Sequence, residues 1–141
     1  MVDPESLAVR FEKLREYIKV LREIQKVSRS KFLKDYHVYG LAERYLQLAI
    51  ECLLDIGNML IVQYGFPKPS IKQEIIAILE DQKVLPSDFV HRLAGIAGFR
   101  NILIHDYVKI DRARVYDYLQ KNLPQFEAYL RYVRRYIQKH P

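Results

Sequence analysis

The stretch LAERYLQLAIECLLDI, residues 41–56, decides the fold of this chain. Wound as an α-helix, it is apolar on most of its circumference, and such a helix is buried in a protein core. We therefore predict a long central helix from about Tyr36 to Gln63. The Gly65-Phe66-Pro67-Lys68-Pro69 segment should end it, since Gly favours the C-terminal cap and Pro cannot continue a helix. The apolar positions are Leu41, Tyr45, Leu46, Leu48, Ala49, Ile50, Cys52, Leu53, Leu54 and Ile56.

Four polar residues of the central helix, Arg44, Glu51, Asp55 and Asn58, fall at offsets of seven, eleven and fourteen. At 3.6 residues per turn these offsets place them on one narrow stripe. The stripe must face water, a partner or a cleft, unless Arg44 pairs internally with the two carboxylates. Glu51 and Asp55 are one turn apart, which could suit a metal ion, but no His lies on the stripe, so we predict no metal centre.

Amphipathic segments on both sides of the central helix predict an all-α fold. Asp3 caps a first long helix that has Pro4 at its first position, and a basic, serine-containing stretch at 28–34 breaks or bends this helix. Ser70 and Gln73 form a predicted capping box for a short third helix that runs to about Asp81.

Three further helices complete the predicted bundle. The fourth opens at Pro86-Ser87-Asp88 and reaches the neighbourhood of His105, and Asp111 caps the fifth. Pro124 splits the remaining segment, so that a sixth helix runs to the end of the chain. No strand alternation, internal repeat or low-complexity tract competes with these helices. The sequence thus predicts one domain over residues 1–141, an antiparallel bundle of about five to six helices.

Composition limits the functional classes. The 141 residues carry a net charge of +6 with pI ≈ 9.4, and the excess of Lys and Arg lies at both ends of the chain. Basic faces of this kind attract polyanions, although ordinary solvated helix faces would look the same. The single Cys52 excludes an intrachain disulfide and a cysteine-based zinc site. Because we find neither a signal-peptide pattern nor an uninterrupted apolar run of about 18 residues, we expect a soluble, cytoplasmic protein with no membrane partner.

Residues 100–107, RNILIHDY, place a cation, an amide, an imidazole and a phenol in an otherwise apolar segment. The Arg100 guanidinium fits a phosphate, and His105 can move protons near neutral pH, so the pair suggests phosphodiester chemistry. Five residues turn a helix through roughly 140°, so these two residues do not share a face, whereas Asn101 and His105 do. Either the helix ends at about His105, or the Arg side chain reaches around, or the site combines two chains.

The same segment resembles the signature of the HEPN superfamily, in particular of HepT-like toxins. The pattern is Arg-Asn, three mainly aliphatic residues, His, any residue and Tyr, followed by an Ile-Asp that starts the next helix. This chain supplies Arg100-Asn101, His105, Tyr107 and Ile110-Asp111 without a gap. The likeness covers about residues 36–135, and it includes two second-helix motifs and the run into the signature: Ala49-Ile50-Glu51, Asp55-Ile56-Gly57 and Leu93 to Phe99.

The resemblance implies a metal-independent ribonuclease without a cofactor, acting on RNA as a homodimer whose two chains line one cleft. Arg100 and His105 would be catalytic. Asn101 would orient His105 or bind a phosphate oxygen, Tyr107 would line the site, and Glu51 and Asp55 are expected to support it. The segment 106–111 and the fourth helix are expected near the twofold axis.

A second implication concerns regulation. HepT-like toxins resemble one another in having a minimal nucleotidyltransferase as antitoxin, and the signature tyrosine, here Tyr107, accepts adenylyl groups from it. The added AMP would block an RNA phosphate beside the arginine. An alternative interpretation is a non-catalytic helical module that binds, or is modified by, the nucleotidyltransferase. His37, His91 and His140 share no motif, and we expect the tyrosines of residues 116–136 to serve packing or dimer contacts.

Overall fold

The computed structural model describes residues 4–105, 108 and 110–141, with His105 as backbone only. The predicted cap Asp3 lies outside these residues. All regular structure in the described part is helical, which confirms the all-α prediction, but there are seven helices there instead of five to six. They are α1 (Pro4–Gln25), α2 (Arg29–Lys34), α3 (Tyr36–Tyr64), α4 (Glu74–Asp81), α5 (Ser87–Arg92), α6 (Ile96–His105) and α7 (Arg112–Lys139).

Helix α3 is the centre of the bundle, as predicted, and packs against α1, α2, α4, α6 and α7. It begins where the Asp35 side chain accepts a hydrogen bond from the His37 backbone N–H, at 2.9 Å. It ends at Gly65, whose φ of 66° is a left-handed conformation that glycine adopts without strain. By length and composition α3 could cross a membrane, but 56% of its most apolar window is buried inside the bundle, as in the core helix of a soluble protein.

Gly57 lets two helices approach α3 closely. A Cβ atom at this position would lie 2.7 Å from Ile75 Cγ2 on α4 and 2.7 Å from Tyr129 Oη on α7. The Tyr129 phenol is fully buried and donates a hydrogen bond to the Leu53 carbonyl, at 3.0 Å. The small residue and the buried phenol together fix α4 and α7 on the central helix.

The boundaries of the short helices differ from the prediction. The stretch at 28–34 does break the first helix, and α2 starts there with the Ser28 side chain accepting from the Lys31 backbone N–H. The Ser70–Gln73 capping box was wrong: α4 begins at Glu74, whose carboxylate accepts from the Ser70 backbone N–H at 2.9 Å, and Gln73 makes no side-chain cap. Thus the predicted acceptor was one residue too early.

Two helix breaks were also predicted wrongly. The segment from Ser87 to His105 is two helices, because the backbone turns at Gly95 with a φ of 84°. Conversely, Pro124 does not split the last segment, which is the single helix α7. Proline in a helix interior costs about 3 kcal/mol, but buried side chains continue across it, and their packing offsets that cost: Leu119, Leu123, Phe126 and Leu130. The Asp111 cap is confirmed, since its side chain accepts from the Ala113 backbone N–H.

Candidate functional site

Helix α6 carries the first part of the signature, Arg100 to His105, and its apolar side chains fix its orientation. Four of them are buried: Ile96, Ala97, Phe99 and Leu103. The Phe99 ring stacks on that of Tyr118 from α7, with the ring centroids 4.1 Å apart. Because this face is held against the core, Arg100, the next residue after Phe99, is carried to the boundary between α6 and α3.

The Arg100 side chain is only 15% exposed, and its guanidinium is held by two polar side chains. Its Nη2 donates to Glu51 Oε1 on α3 at 3.2 Å, and its Nη1 donates to Asn101 Oδ1 at 3.0 Å. The Nε atom is buried and has no hydrogen-bond partner within the described part of the chain. The structure therefore brings together three of the predicted site residues and fixes the guanidinium while leaving N–H donors unused.

The polar stripe on α3 does not act as one network. Glu51 pairs with Arg100 of α6, and not with Arg44, which is exposed. Asp55 is exposed one turn further along, where it lines a groove of about 210 Å³ with Asn58 and Lys72. Neither Arg44 nor Asp55 forms an ion pair with any residue that the structure describes. Only Glu51 of the two predicted carboxylates therefore reaches the signature arginine.

His105 is the last residue of α6, and its position is known as backbone only. Along a regular helix it lies about 7.5 Å further along the axis than Arg100 and roughly 140° around it. Tyr107 lies outside the described residues, as do residues 106 and 109 of the 106–111 segment expected near a twofold axis. The relation of these side chains to Arg100 thus stays a prediction.

One charged residue near the signature was missed by the sequence analysis. Arg114 lines a groove of about 270 Å³ with Ile102 and Leu103 of α6 and with Ile110 and Asp111. Its signal was a basic residue in the first turn of α7, three positions after the Asp111 cap. In the described part of the chain, no group of three or more His, Cys, Asp and Glu side chains could hold a metal ion.

The tyrosines of α7 serve packing, as expected. Tyr116 contacts the Phe32 ring edge to face, and Tyr132 lies against Phe89. Burial raises the pKa of the Tyr118 and Tyr129 phenols well above the usual tyrosine value. These two phenols therefore stay neutral and are unsuited to accept a proton near neutral pH.

Residues 14–133 match the model of a protein family described as "HepT-like: Ribonuclease HepT-like". The chain is 24% identical to a tRNA nuclease HepT of Aphanizomenon flos-aquae over 136 residues, which are 96% of this chain and 92% of the relative. It is 25% identical to an mRNA nuclease HepT of Shewanella oneidensis over 112 residues, or 78% and 84% of the two chains.

Solved structures share the fold. The cytosolic protein YutE of Bacillus subtilis superposes with a TM-score of 0.85 at 20% identity, covering 98% of this chain and 92% of that one. A tri-AMPylated HEPN toxin of Shewanella oneidensis, solved in complex with its MNT antitoxin, superposes with a TM-score of 0.84 at 21% identity, covering 96% and 99%. At these identities the likeness establishes the common helical architecture.

Proposed function

Because this chain belongs to the ribonuclease HepT-like family, we propose that it is the toxin of a toxin–antitoxin pair, a metal-independent endoribonuclease that acts through Arg100 and His105 in the cleft of a homodimer. Its partner is a nucleotidyltransferase antitoxin, which silences it by adenylylating Tyr107. The observation that carries the proposal is the guanidinium of Arg100, held at 15% exposure between Glu51 and Asn101 in an otherwise apolar helix.

Arg100 stabilises the charge that develops on the phosphoryl oxygens. A guanidinium has five N–H donors; the contacts to Glu51 and Asn101 use two of them and Nε is buried, so one N–H on each terminal nitrogen is left for a phosphate. The Glu51 carboxylate limits the rotation of the guanidinium, so less conformational entropy is lost when the phosphate binds. Glu51 is thus a positioning residue for Arg100.

His105 supplies the proton transfers. Cleavage of RNA by its own 2′-OH requires a base that removes the hydroxyl proton and an acid that protonates the departing 5′-oxygen. The macrodipole at the C-terminus of α6 favours an imidazolium at His105, which suits the acid. One signature His per chain provides both groups when two chains form the cleft, and the roughly 140° between Arg100 and His105 on one helix also favours a cleft built from two chains.

Tyr107 is the regulatory residue of the proposal. The AMP groups on the related Shewanella toxin, and its complex with an MNT antitoxin, support an adenylylated state for this chain as well. Tyr107 follows His105 by two positions, with only Asp106 between them. An adenylyl phosphate there would occupy the place of the substrate phosphate beside Arg100, and inhibition follows from that competition.

The test combines cleavage with subunit mixing. RNA cleavage and growth arrest are measured for wild type, Arg100→Ala and His105→Ala, with folding checked by circular dichroism and the dimer by light scattering. Each variant is expected to lose about 2.7–4 kcal/mol of transition-state stabilisation, the scale of a lost oxyanion-hole donor. Co-expression of wild type with His105→Ala should lower activity by more than the share of variant chains, because a mixed dimer holds one His105 where the mechanism needs two.

Three results would contradict the proposal. Wild-type cleavage by either single variant would remove that residue from the chemistry. Loss of activity with a chelator would indicate a metal-dependent nuclease. A wild-type chain that forms the adenylylated complex with its antitoxin but never cleaves RNA would favour the non-catalytic module.

A further inference from the structure

A strongly basic groove runs between α1 and the C-terminal half of α7. It encloses about 310 Å³, and five cationic side chains line it together with a single acid: Arg15, Lys19, Arg22, Arg131, Arg134 and Glu127. We call it the α1–α7 groove. The α1 residues repeat at steps of four and three, as do those of α7, so each helix presents one stripe of charge to the same space.

Most of this charge is not neutralised within the chain. Arg22 forms an ion pair with Glu127, and the Arg134 guanidinium lies over the Phe11 ring, 5.9 Å from its centroid. The remaining three cations, Arg15, Lys19 and Arg131, form no ion pair with any residue of the described part of the chain. Like charges gathered on one face repel one another, and an anionic ligand with several charges would relieve that repulsion.

The groove is separate from the signature site. Helix α6 contacts α7 near its start, where Phe99 stacks on Tyr118. Arg131 follows thirteen residues later on the same helix, a distance of roughly 20 Å along its axis. A ligand that reaches both places must therefore be long, with negative charge distributed along it.

We propose that the α1–α7 groove is an RNA-binding exosite that holds the phosphate backbone of the substrate at a distance from the cleaved bond. This inference rests on the proposed ribonuclease function. The α1 stripe from Arg15 to Arg22 is about 10 Å long, and with Arg131 and Arg134 across the groove it suits a chain of phosphates. Contacts to phosphate oxygens carry no sequence information, so the groove contributes affinity and orientation but no sequence preference. An acidic protein surface is the competing occupant.

The experiment measures tRNA binding by a chain that cannot cut it. In a His105→Ala background, Arg15, Lys19 and Arg131 are changed to Gln together in one chain, which we call the groove variant. Its dissociation constant for tRNA is measured as a function of salt concentration. The matched control changes Lys34, Lys68 and Lys72 to Gln, three exposed cations that do not line the groove. The slope of the logarithm of the association constant against the logarithm of the salt concentration should become smaller in magnitude by about 2 to 3 in the groove variant, because each lost phosphate contact contributes roughly 0.7 to 0.9. The control should change it much less.

A second readout separates this inference from the proposed function. In the active background the groove variant should raise KM for tRNA and leave kcat near wild type. If wild type cleaves RNA but the groove and control variants have the same salt slope and the same KM, the exosite is wrong and the ribonuclease stands. If the groove variant binds tRNA normally but no longer binds the antitoxin, the groove is a protein-docking surface. If wild type does not cleave but the groove variant still loses tRNA affinity, the exosite stands without the catalysis.

Discussion

The contact between Glu51 and Arg100 offers a test that separates positioning from folding. Glu51→Gln keeps the Oε1 acceptor and the size of the side chain but removes the charge that holds the guanidinium. In the native protein this bond is 3.2 Å long and joins side chains that are 15% and 31% exposed. The substitution therefore weakens one interaction at the site and disturbs little else.

The expected effects of Glu51→Gln on folding stability and on the rate of cleavage differ in size. A hydrogen bond to a charged group contributes about 1.5–3 kcal/mol to stability when buried, and the solvent that reaches Glu51 reduces the loss to about 1 kcal/mol. Catalysis is more sensitive, because a guanidinium displaced by about 1 Å can lower the rate as much as 10²-fold. We expect kcat to fall by more than the change in the free energy of unfolding would suggest.

The assay pairs urea unfolding with RNA cleavage for wild type, Glu51→Gln, Arg100→Gln and the double variant. The losses in cleavage should not add, because Glu51 acts through Arg100. Glu12→Gln is the control, an exposed acid on α1 with the same change in charge. A Glu51→Gln chain that cleaves at the wild-type rate would refute the positioning role, and an equal loss in Glu12→Gln would reduce it to an effect of net charge.

Three further predictions concern packing, pH and regulation. Gly57→Ala should destabilise the fold by about 1–3 kcal/mol relative to Gly40→Ala, measured by urea unfolding, because its Cβ meets Ile75 and Tyr129 whereas that of Gly40 meets nothing within 4 Å. Burial raises the Tyr129 pKa above the usual value of 10.0. The contribution of this phenol to the free energy of unfolding should therefore be fully present below that pH and fall as the pH rises beyond it, since only the unfolded chain loses the proton. In urea unfolding at a series of pH values, Tyr129→Phe should make this fall less steep. Tyr107→Phe should resist silencing by the antitoxin with ATP and Mg²⁺, and intact-mass measurement should find no AMP on it; AMP on the variant would place the modification elsewhere.

Local signals in the sequence predicted the central helix and its ends. Helix α3 begins at Tyr36 as predicted, Gly65 ends it in the left-handed conformation, and Asp111 caps α7 as expected. Each signal depends on a few neighbouring residues, which a sequence displays directly. Pro124 and Gly95 were misjudged because tertiary packing decides whether a helix continues across them.

Tertiary packing, and not the neighbouring sequence, also decides which cation pairs with Glu51. Arg44 shares the stripe with Glu51, but seven residues separate them by about 10.5 Å along the helix axis, which is long for a direct ion pair. Arg100 is 49 residues away in sequence and 3.2 Å away in space. The sequence could place Glu51 on a polar stripe beside the core, but it could not choose between these two cations without the packing of α6 on α3.

The Glu51–Arg100 pair also bears on why the proposed cleft needs two chains. The pair holds the guanidinium at the α3 side of α6, and the histidine position lies roughly 140° around the helix from it. A guanidinium and an imidazole that act on one phosphoryl group must both come within hydrogen-bond distance of it. A second copy related by a twofold axis can bring its own His105 to the first chain's Arg100 without either helix unwinding. On this reasoning dimerisation belongs to the catalytic mechanism, and a chain held as a monomer would keep its Glu51–Arg100 pair and its fold while losing its activity.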